Sequence, residues 1–110
     1  MVKMLLMDAI RKFNEKAEID EKLKKELKGI TRKIQVDVTD GEGYNFVLED
    51  TRVSDLREGE IESPDIVIAA STETFTALLT KEMGPMKAIA TRKLKMKASL
   101  EDMFRLRKFF

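Results

Sequence analysis

The sequence predicts an α+β domain in which a five-stranded sheet has helices gathered mainly on one face. Apolar and polar residues alternate over 34–38 and 93–98, as they do in strands with one buried face. Apolar residues recur at helical spacing over 3–16 and 75–79, as they do in helices with one buried stripe. Residues 65–70 have no polar residue between their ends, which favours a central strand covered on both faces.

Two helices are predicted before the sheet. The first carries one apolar stripe, formed by Leu5, Leu6, Ala9, Ile10 and Phe13. Asp20 is the predicted N-cap of a short second helix that carries Leu23 and Leu27, and Gly29 is its predicted C-cap. Because each helix offers only one stripe, both require a sheet to cover.

The first strands form a predicted hairpin. The strand over 34–38 is followed by Asp40-Gly41-Glu42-Gly43, in which glycine is expected to supply the positive φ of a tight turn. A returning strand covers 44–48, and a weaker third strand covers 52–56. Residues 57–64 are polar and contain Gly and Pro, which predicts a loop.

Helix caps organise the second half of the chain. Ser71 and Thr72 offer N-cap hydroxyls to a third helix, and Gly84-Pro85 is expected to end that helix and start a fourth. Ser99 with Asp102 is similar to a capping box and predicts a last helix after the strand over 93–98. Three apolar residues are expected on the buried side of that helix: Leu100, Met103 and Phe104.

Composition excludes several classes of function. Cysteine and histidine are absent, which removes disulfides, thiol catalysis, the Ser-His-Asp triad and nearly every zinc geometry. The carboxylates lie in charged runs such as 58–62, so we expect no enzyme, no cofactor and no metal site. No apolar run approaches the ~18 residues of a membrane span, and residues 1–7 are too short for a signal peptide. We therefore expect a soluble, cytoplasmic, single domain spanning 1–110.

Charge is unevenly distributed along the chain. Residues 37–65 carry ten acidic and two basic residues, whereas residues 81–110 carry nine basic and three acidic ones. The basic end is therefore available to anionic partners. Lys93, Lys95 and Lys97 share one strand face, which could meet an anionic membrane or an acyl-CoA phosphate, or could be a solvated edge that opposes strand association. Stacking aromatics are scarce near this segment, which argues against nucleic acid.

The succession of elements resembles the sterol carrier protein type-2 domain. The resemblance is sharpest in Phe75-Thr76-Ala77-Leu78-Leu79-Thr80, then Glu82-Met83, then Pro85-Met86-Lys87-Ala88, and then Arg92-Lys93-Leu94-Lys95-Met96-Lys97. Residues 33–60 match more loosely. The family commonly has glycine where Arg92 and Ala98 stand here, and its eukaryotic members have a peroxisomal Ser-Lys-Leu ending that this chain lacks. The sequence is thus similar to a small, free-standing, prokaryotic-type member.

The resemblance implies a non-catalytic lipid-binding or lipid-transfer protein, in which a twisted, mixed sheet and its helices enclose an apolar tunnel. Fatty acids, acyl-CoA or sterol-like amphiphiles are the guests it implies. Methionine suits such a tunnel because its side chain repacks at low cost. The residues expected to line the tunnel are those at the family's positions and on the apolar stripes of the helices. For each of them, packing in an ordinary core is the alternative to contact with a ligand. The candidates are Phe75, Leu78, Leu79, Met83, Met86, Ile89, Leu94, Met96, Met103 and Phe104.

Phe109 and Phe110 stand apart, since adjacent aromatics of one helix cannot both face its core. They are ligand-binding candidates as a flap over a cavity mouth, or as an anchor that dips into lipid. A dimer contact or a frayed tail explains them equally well.

Two other functions remain open at this point. One is an interaction or dimerisation module whose apolar groove takes a protein partner or a second copy, so a homodimer is allowed. The other is an auxiliary domain that acts beside a separate enzyme.

Overall fold

The computed structural model describes residues 2–109, with the exception of the side chains of Arg107 and Lys108. The role predicted for Phe110 therefore lies outside the described residues. The chain begins with two helices, α1 (Val2–Ile19) and α2 (Glu21–Leu27).

Both N-terminal helices confirm the sequence prediction, although α1 runs three residues further than expected. The carboxylate of Asp20 accepts a hydrogen bond from the backbone N–H of Leu23 at 3.1 Å, so Asp20 caps α2. Gly29 follows α2 with left-handed backbone at φ 75°, a conformation that favours glycine after a helix.

Within the described residues the sheet is mixed and has six strands, β1 (Thr31–Val38), β2 (Gly43–Glu49), β3 (Arg52–Val53), β4 (Arg57–Glu58), β5 (Ile66–Ala70) and β6 (Lys95–Lys97). The order is β3-β2-β1-β5-β6, and β4 lies beside β2. β1 and β5 are parallel, and the other pairs are antiparallel. The predicted α+β class and mixed sheet are thereby confirmed.

The strand boundaries differ from the prediction: β1 begins three residues earlier than expected, and β6 covers only the middle of the predicted 93–98. The third strand, expected over 52–56, is only two residues long. Residues 57–58, expected in a loop, form β4 because Arg57 pairs with Asn45 and Glu58 with Tyr44. The pairing is decided by the partner strand, which local turn chemistry does not reveal.

One side of the sheet, here the apolar face, carries the core. Strand register brings its side chains together: Ile34, Val36, Val38, Phe46, Leu48, Ile66 and Ile68, all buried. Helix α1 contributes a stripe to the same core cluster: Leu6, Ile10, Phe13 and Ala17. Since the apolar residues of the later helices join this cluster, the helices gather mainly on this face, as predicted.

The other side of the sheet is covered by the segment after β4. The side chains of Gln35 and Asn45 are buried and donate to the carbonyl of Gly59, at 3.4 and 3.1 Å. The backbone N–H of Ile61 donates to the Gln35 amide oxygen at 2.8 Å. Val67 of the predicted central strand is only partly buried on this side, so apolar cover on both faces was an overestimate.

The first hairpin forms where predicted, but its glycines act differently. Neither Gly41 nor Gly43 has left-handed backbone. A Cβ on Gly43 would lie 3.2 Å from the Gln35 amide nitrogen. The side-chain network on the sheet, rather than the turn conformation, therefore favours glycine at position 43.

Helices α3 (Thr72–Leu79) and α4 (Pro85–Ala90) follow β5. Ser71 caps α3 as predicted, by accepting from the Thr74 backbone N–H at 3.2 Å. Gly84 does not end α3; it is the N-cap of α4 and has φ −77°. Each helix ends instead with a basic residue in left-handed backbone, Lys81 at φ 67° and Arg92 at φ 62°.

Helix α5 (Leu100–Arg105) and a 3₁₀ helix (Leu106–Phe109) end the described chain. Ser99 caps α5 by accepting from the Asp102 backbone N–H at 3.1 Å, as predicted. The buried side of α5 was predicted wrongly, since Leu100 is 83% and Phe104 57% exposed. Asp102 is buried instead, because its carboxylate forms ion pairs with Arg32 and Arg105.

Asp102 ties α5 to the start of β1. Its carboxylate accepts from Arg32 at 2.9 Å and from Arg105 at 2.7 Å. Burial by itself raises the pKa of this carboxyl, but the hydrogen bonds and charges of the two arginines outweigh it and hold the pKa of Asp102 below its usual value. The 3₁₀ helix is attached directly to this fixed element.

We expect Asp102→Asn to lower the free energy of unfolding by about 2 kcal/mol at neutral pH, because it removes the charged partner of Arg32 and the nearer of the two charged partners of Arg105. Glu101→Gln is the matched control. Its carboxylate is exposed and lies 3.6 Å from Arg105, which is too far for a strong ion pair, so we expect a change below about 0.5 kcal/mol. Urea denaturation measures both variants.

The difference in unfolding free energy between wild type and Asp102→Asn should depend on pH. A carboxyl whose folded-state pKa is lowered stabilises the fold above its unfolded pKa, near 3.8, and loses that contribution as pH falls through the folded pKa. The gap between wild type and Asp102→Asn should therefore be constant above about pH 5 and shrink below about pH 4. A gap that grows on acidification contradicts the assignment.

Candidate functional site

The interior layer between α1 and the apolar face is closed by an aromatic stack. The ring of Phe109 lies 5.5 Å from that of Phe46 on β2, with the planes 14° apart. It also lies 5.8 Å from the ring of Phe13 on α1, tilted by 52°. A side chain from the end of the described chain therefore fills the space between helix and sheet.

This placement separates the readings left open for Phe109. The residue is only 5% exposed, and Leu106 of the same 3₁₀ helix is 3% exposed. Phe109 is thus a core residue in this state, and neither an exposed anchor nor a frayed tail. The sequence makes Phe109 a ligand-binding candidate because a second aromatic residue, Phe110, follows it. The sequence does not predict its position between the rings of Phe13 and Phe46.

The other candidate residues fall into three groups. Buried in the core are Phe75, Leu78 and Leu94. Partly buried are Leu79, Met83, Ile89, Met96 and Met103, of which the first four pack against the core. Met86 and Phe104 project into solvent, with 77% and 57% exposure, so they do not line an interior space in this structure.

A crevice of about 100 Å³ lies beside Phe109, between α1 and the end of α3. We call it the α1–α3 crevice. Its apolar wall is formed by Leu5, Ala9, Phe13, Leu79 and Phe109, and its polar rim by Asp8, Lys12, Lys16 and Lys81. Two predicted site residues, Leu79 and Phe109, therefore meet here.

The rim is electropositive. Asp8 pairs with Lys12 at 3.0 Å and with Arg11 at 2.6 Å, and these hydrogen bonds lower the pKa of Asp8. Burial, followed by the like charges of Lys12 and Lys16, lowers the pKa of Lys81. One carboxylate thus stands among several ammonium and guanidinium groups.

Sequence reasoning missed this rim. Lys12 and Lys16 are four residues apart and flank the apolar stripe of α1, a signal that the sequence does contain. Lys81 lies 65 positions later in the chain than Lys16. Its approach to α1 follows from the packing of α1 on α3, which no local pattern predicts.

A second, larger groove of about 640 Å³ runs along the other side of α1. It is lined by Met7, Ile10, Arg11, Asn14, Glu15, Glu18, Arg52, Asp55 and Leu56. Asn14 holds α1 to β3 there, exchanging hydrogen bonds with the backbone of Val53 at 2.8 and 2.9 Å. Charges of both signs line this groove, and none of the predicted site residues belongs to it.

The lysines of the last strand behave as a solvated row. Lys93, Lys95 and Lys97 are all exposed, and β6 lies at the end of the strand order. Within residues 2–109, we find no helix long and apolar enough to cross a bilayer. The same part of the chain has no group of three acidic side chains arranged to hold a metal ion.

Comparison with known proteins places this geometry in a family. The model of the SCP-2 sterol transfer family matches residues 10–110. A comparison with the curated proteins finds no match.

Solved structures share the fold. Palmitated sterol carrier protein 2 like 2 of Aedes aegypti has 16% identity and a TM-score of 0.63, over 91% of this chain and 88% of that one. Sterol carrier protein 2 of Yarrowia lipolytica, in its apo form, has 18% identity and a TM-score of 0.58, over 98% and 85%.

The sec-alkylsulfatase Pisa1 of Pseudomonas sp. has 14% identity and a TM-score of 0.61 over 78% of this chain, which spans only 13% of that enzyme's length. The same fold thus also occurs within a much longer chain. Because the family model covers all but the first nine residues, and sterol carrier structures share the fold over nearly the whole chain, this protein belongs to the SCP-2 sterol transfer family.

Proposed function

We propose that this chain binds a lipid-like amphiphile and holds its apolar part between the apolar face of the sheet and helices α1 and α3. A fatty-acyl chain, free or as acyl-CoA, is the preferred guest, and a sterol-like molecule is the alternative. Membership of the SCP-2 sterol transfer family supports a role in lipid binding or transfer. The position of Phe109 carries the structural part of the proposal.

Phe109 occupies the space that the guest would need. The ring reaches the interior from a four-residue 3₁₀ helix at the end of the described chain. It could withdraw without breaking a strand pair or a turn of α1 or α3. Withdrawal would expose Phe13 and Phe46, and extend the α1–α3 crevice into the layer between helix and sheet.

The energies favour such an exchange. Removing Phe109 from the core costs about 1.5–3 kcal/mol of burial and about 0.5–1.5 kcal/mol for each lost ring contact. A sixteen-carbon chain gains about 0.8 kcal/mol per buried CH₂, or about 12 kcal/mol before ordering costs are subtracted. This gain exceeds the cost of displacing the ring, so a net driving force remains from which the ordering costs are met.

The candidate lining follows from this location. We propose that Phe75, Leu78, Leu79 and Leu94 contact the guest, since they are core residues or line the crevice. Met83, Ile89, Met96 and Met103 would provide adaptable walls behind them. Met86 and Phe104 would take part only if α4 or α5 turned inward.

A second candidate function has one observation in its favour. Leu100 and Phe104 are four residues apart on α5, lie on the same helix face and are both exposed. With Glu26, Glu101 and Arg105 they line a shallow surface groove. An exposed apolar pair of this kind suits a protein partner or a second copy of the chain.

Phe109→Ala should strengthen the binding of a fluorescent fatty acid by at least about tenfold, because the guest no longer has to displace a ring. The same variant should lose about 3 kcal/mol of stability through the cavity it leaves. Phe104→Ala is the matched control, and it should change neither quantity because the ring is largely exposed. Unchanged or weaker binding by folded Phe109→Ala would refute Phe109 as the occupant of the lipid position.

Native mass spectrometry of freshly purified protein separates the two candidate functions. Lipid binding predicts a monomer that carries a co-purified lipid, whose mass identifies it. The interaction module predicts an apo dimer, and Leu100→Glu should then return it to the monomer. A lipid-free monomer that also fails to bind a fatty-acyl probe argues against both.

A further inference from the structure

Three lysine side chains line the opening of the α1–α3 crevice. Lys12 and Lys16 come from successive turns of α1, and Lys81 comes from the residue that follows the C-cap of α3. Behind them lie the side chains of Leu79 and Phe109. Cations therefore ring an opening whose inner wall is apolar and ends at the aromatic stack.

The charges around this opening are not balanced within the described residues. Asp8 is shared between Arg11 and Lys12, whereas Lys16 and Lys81 form no ion pair with another described residue. Burial, and after it the like charges of Lys12 and Lys16, lowers the pKa of Lys81, so these cations repel one another at the edge of the crevice. An anion between these lysines would remove the repulsion.

Lys81 also occupies a backbone position at which glycine is usual. Its φ of 67° is the left-handed conformation that commonly ends a helix, and a side chain there is strained. Arg92 has the same strain at the end of α4, but lines another part of the surface with Thr39 and Ser71. The chain thus contains a matched pair of strained basic residues, only one of which faces the crevice.

We infer that Lys12, Lys16 and Lys81 form a binding site for the anionic headgroup of the amphiphile, a carboxylate or a phosphate, at the mouth of the space held by Phe109. This site deepens the proposed function and rests on it. The crevice, at about 100 Å³, has room for roughly three waters, and so for a carboxylate or phosphate but not for an acyl chain. The chain would continue inward past Leu79, where Phe109 now lies.

Four probes test the headgroup. Palmitate and hexadecyl phosphate share an acyl-length chain with hexadecanol, which is neutral, and inorganic phosphate has no chain. We expect the two anionic amphiphiles to bind at least about tenfold more tightly than the alcohol, from about two charge pairs at a partly exposed site. That preference should fall in about 1 M NaCl, where the Debye length is about 3 Å.

Variants locate the site. Lys16→Met and Lys81→Gly should each weaken palmitate binding about threefold and leave hexadecanol binding unchanged. Lys81→Gly also relieves backbone strain, so it should melt no lower than wild type while binding the anion less well. Arg92→Gly, which removes the same strain and one charge elsewhere, should not alter the preference for the acid.

Each outcome is decisive. Equal binding of acid and alcohol by wild type overturns the headgroup site and leaves the lipid pocket intact. A preference that survives in both lysine variants, or is lost equally in Arg92→Gly, places anion recognition elsewhere and also overturns it. Inorganic phosphate binding as tightly as hexadecyl phosphate would indicate a site for a free anion, and would also overturn the headgroup site. If no chain-bearing probe binds, the proposed function itself fails.

Discussion

Covering the apolar face of the sheet is the constraint on which the rest of this structure depends. Helix α1 covers much of it, but a helix and a twisted sheet leave a gap, and the Phe109 ring fills that gap between Phe13 and Phe46. The ring belongs to a four-residue 3₁₀ helix and not to α1 or the sheet. The proposed function therefore requires only this helix to move when a guest enters.

Helix α5 and the 3₁₀ helix that follows it are held in different ways. Asp102 is buried and bonded to Arg32 and Arg105, which fixes α5 at the start of β1. Beyond it, the 3₁₀ helix contributes the side chains of Leu106 and Phe109 to the apolar core. Under the proposed function, only this short helix would have to leave the core when a guest binds.

Helix α1 would contact both the apolar chain and the headgroup of the proposed ligand. The side of α1 that faces the sheet carries Phe13, and the edge that faces α3 carries Lys12 and Lys16. Because residues three and four apart lie on neighbouring parts of a helix surface, an apolar wall and a basic rim can adjoin without a dedicated loop. An amphiphile has the same division between chain and headgroup, so the geometry matches its chemistry.

The sequence by itself determined the α+β class and the caps Asp20, Ser71 and Ser99, because periodicity and capping depend on residues close together in the chain. The succession of elements, through its resemblance to a known domain, indicated the mixed sheet and the family. It misjudged the inner side of α5, since a six-residue helix shows too little periodicity to decide which side is buried. Only the tertiary structure brought Phe109 between two rings, and Lys81 beside α1. Contacts between residues so far apart in the chain depend on how whole elements pack, and leave no trace in local spacing.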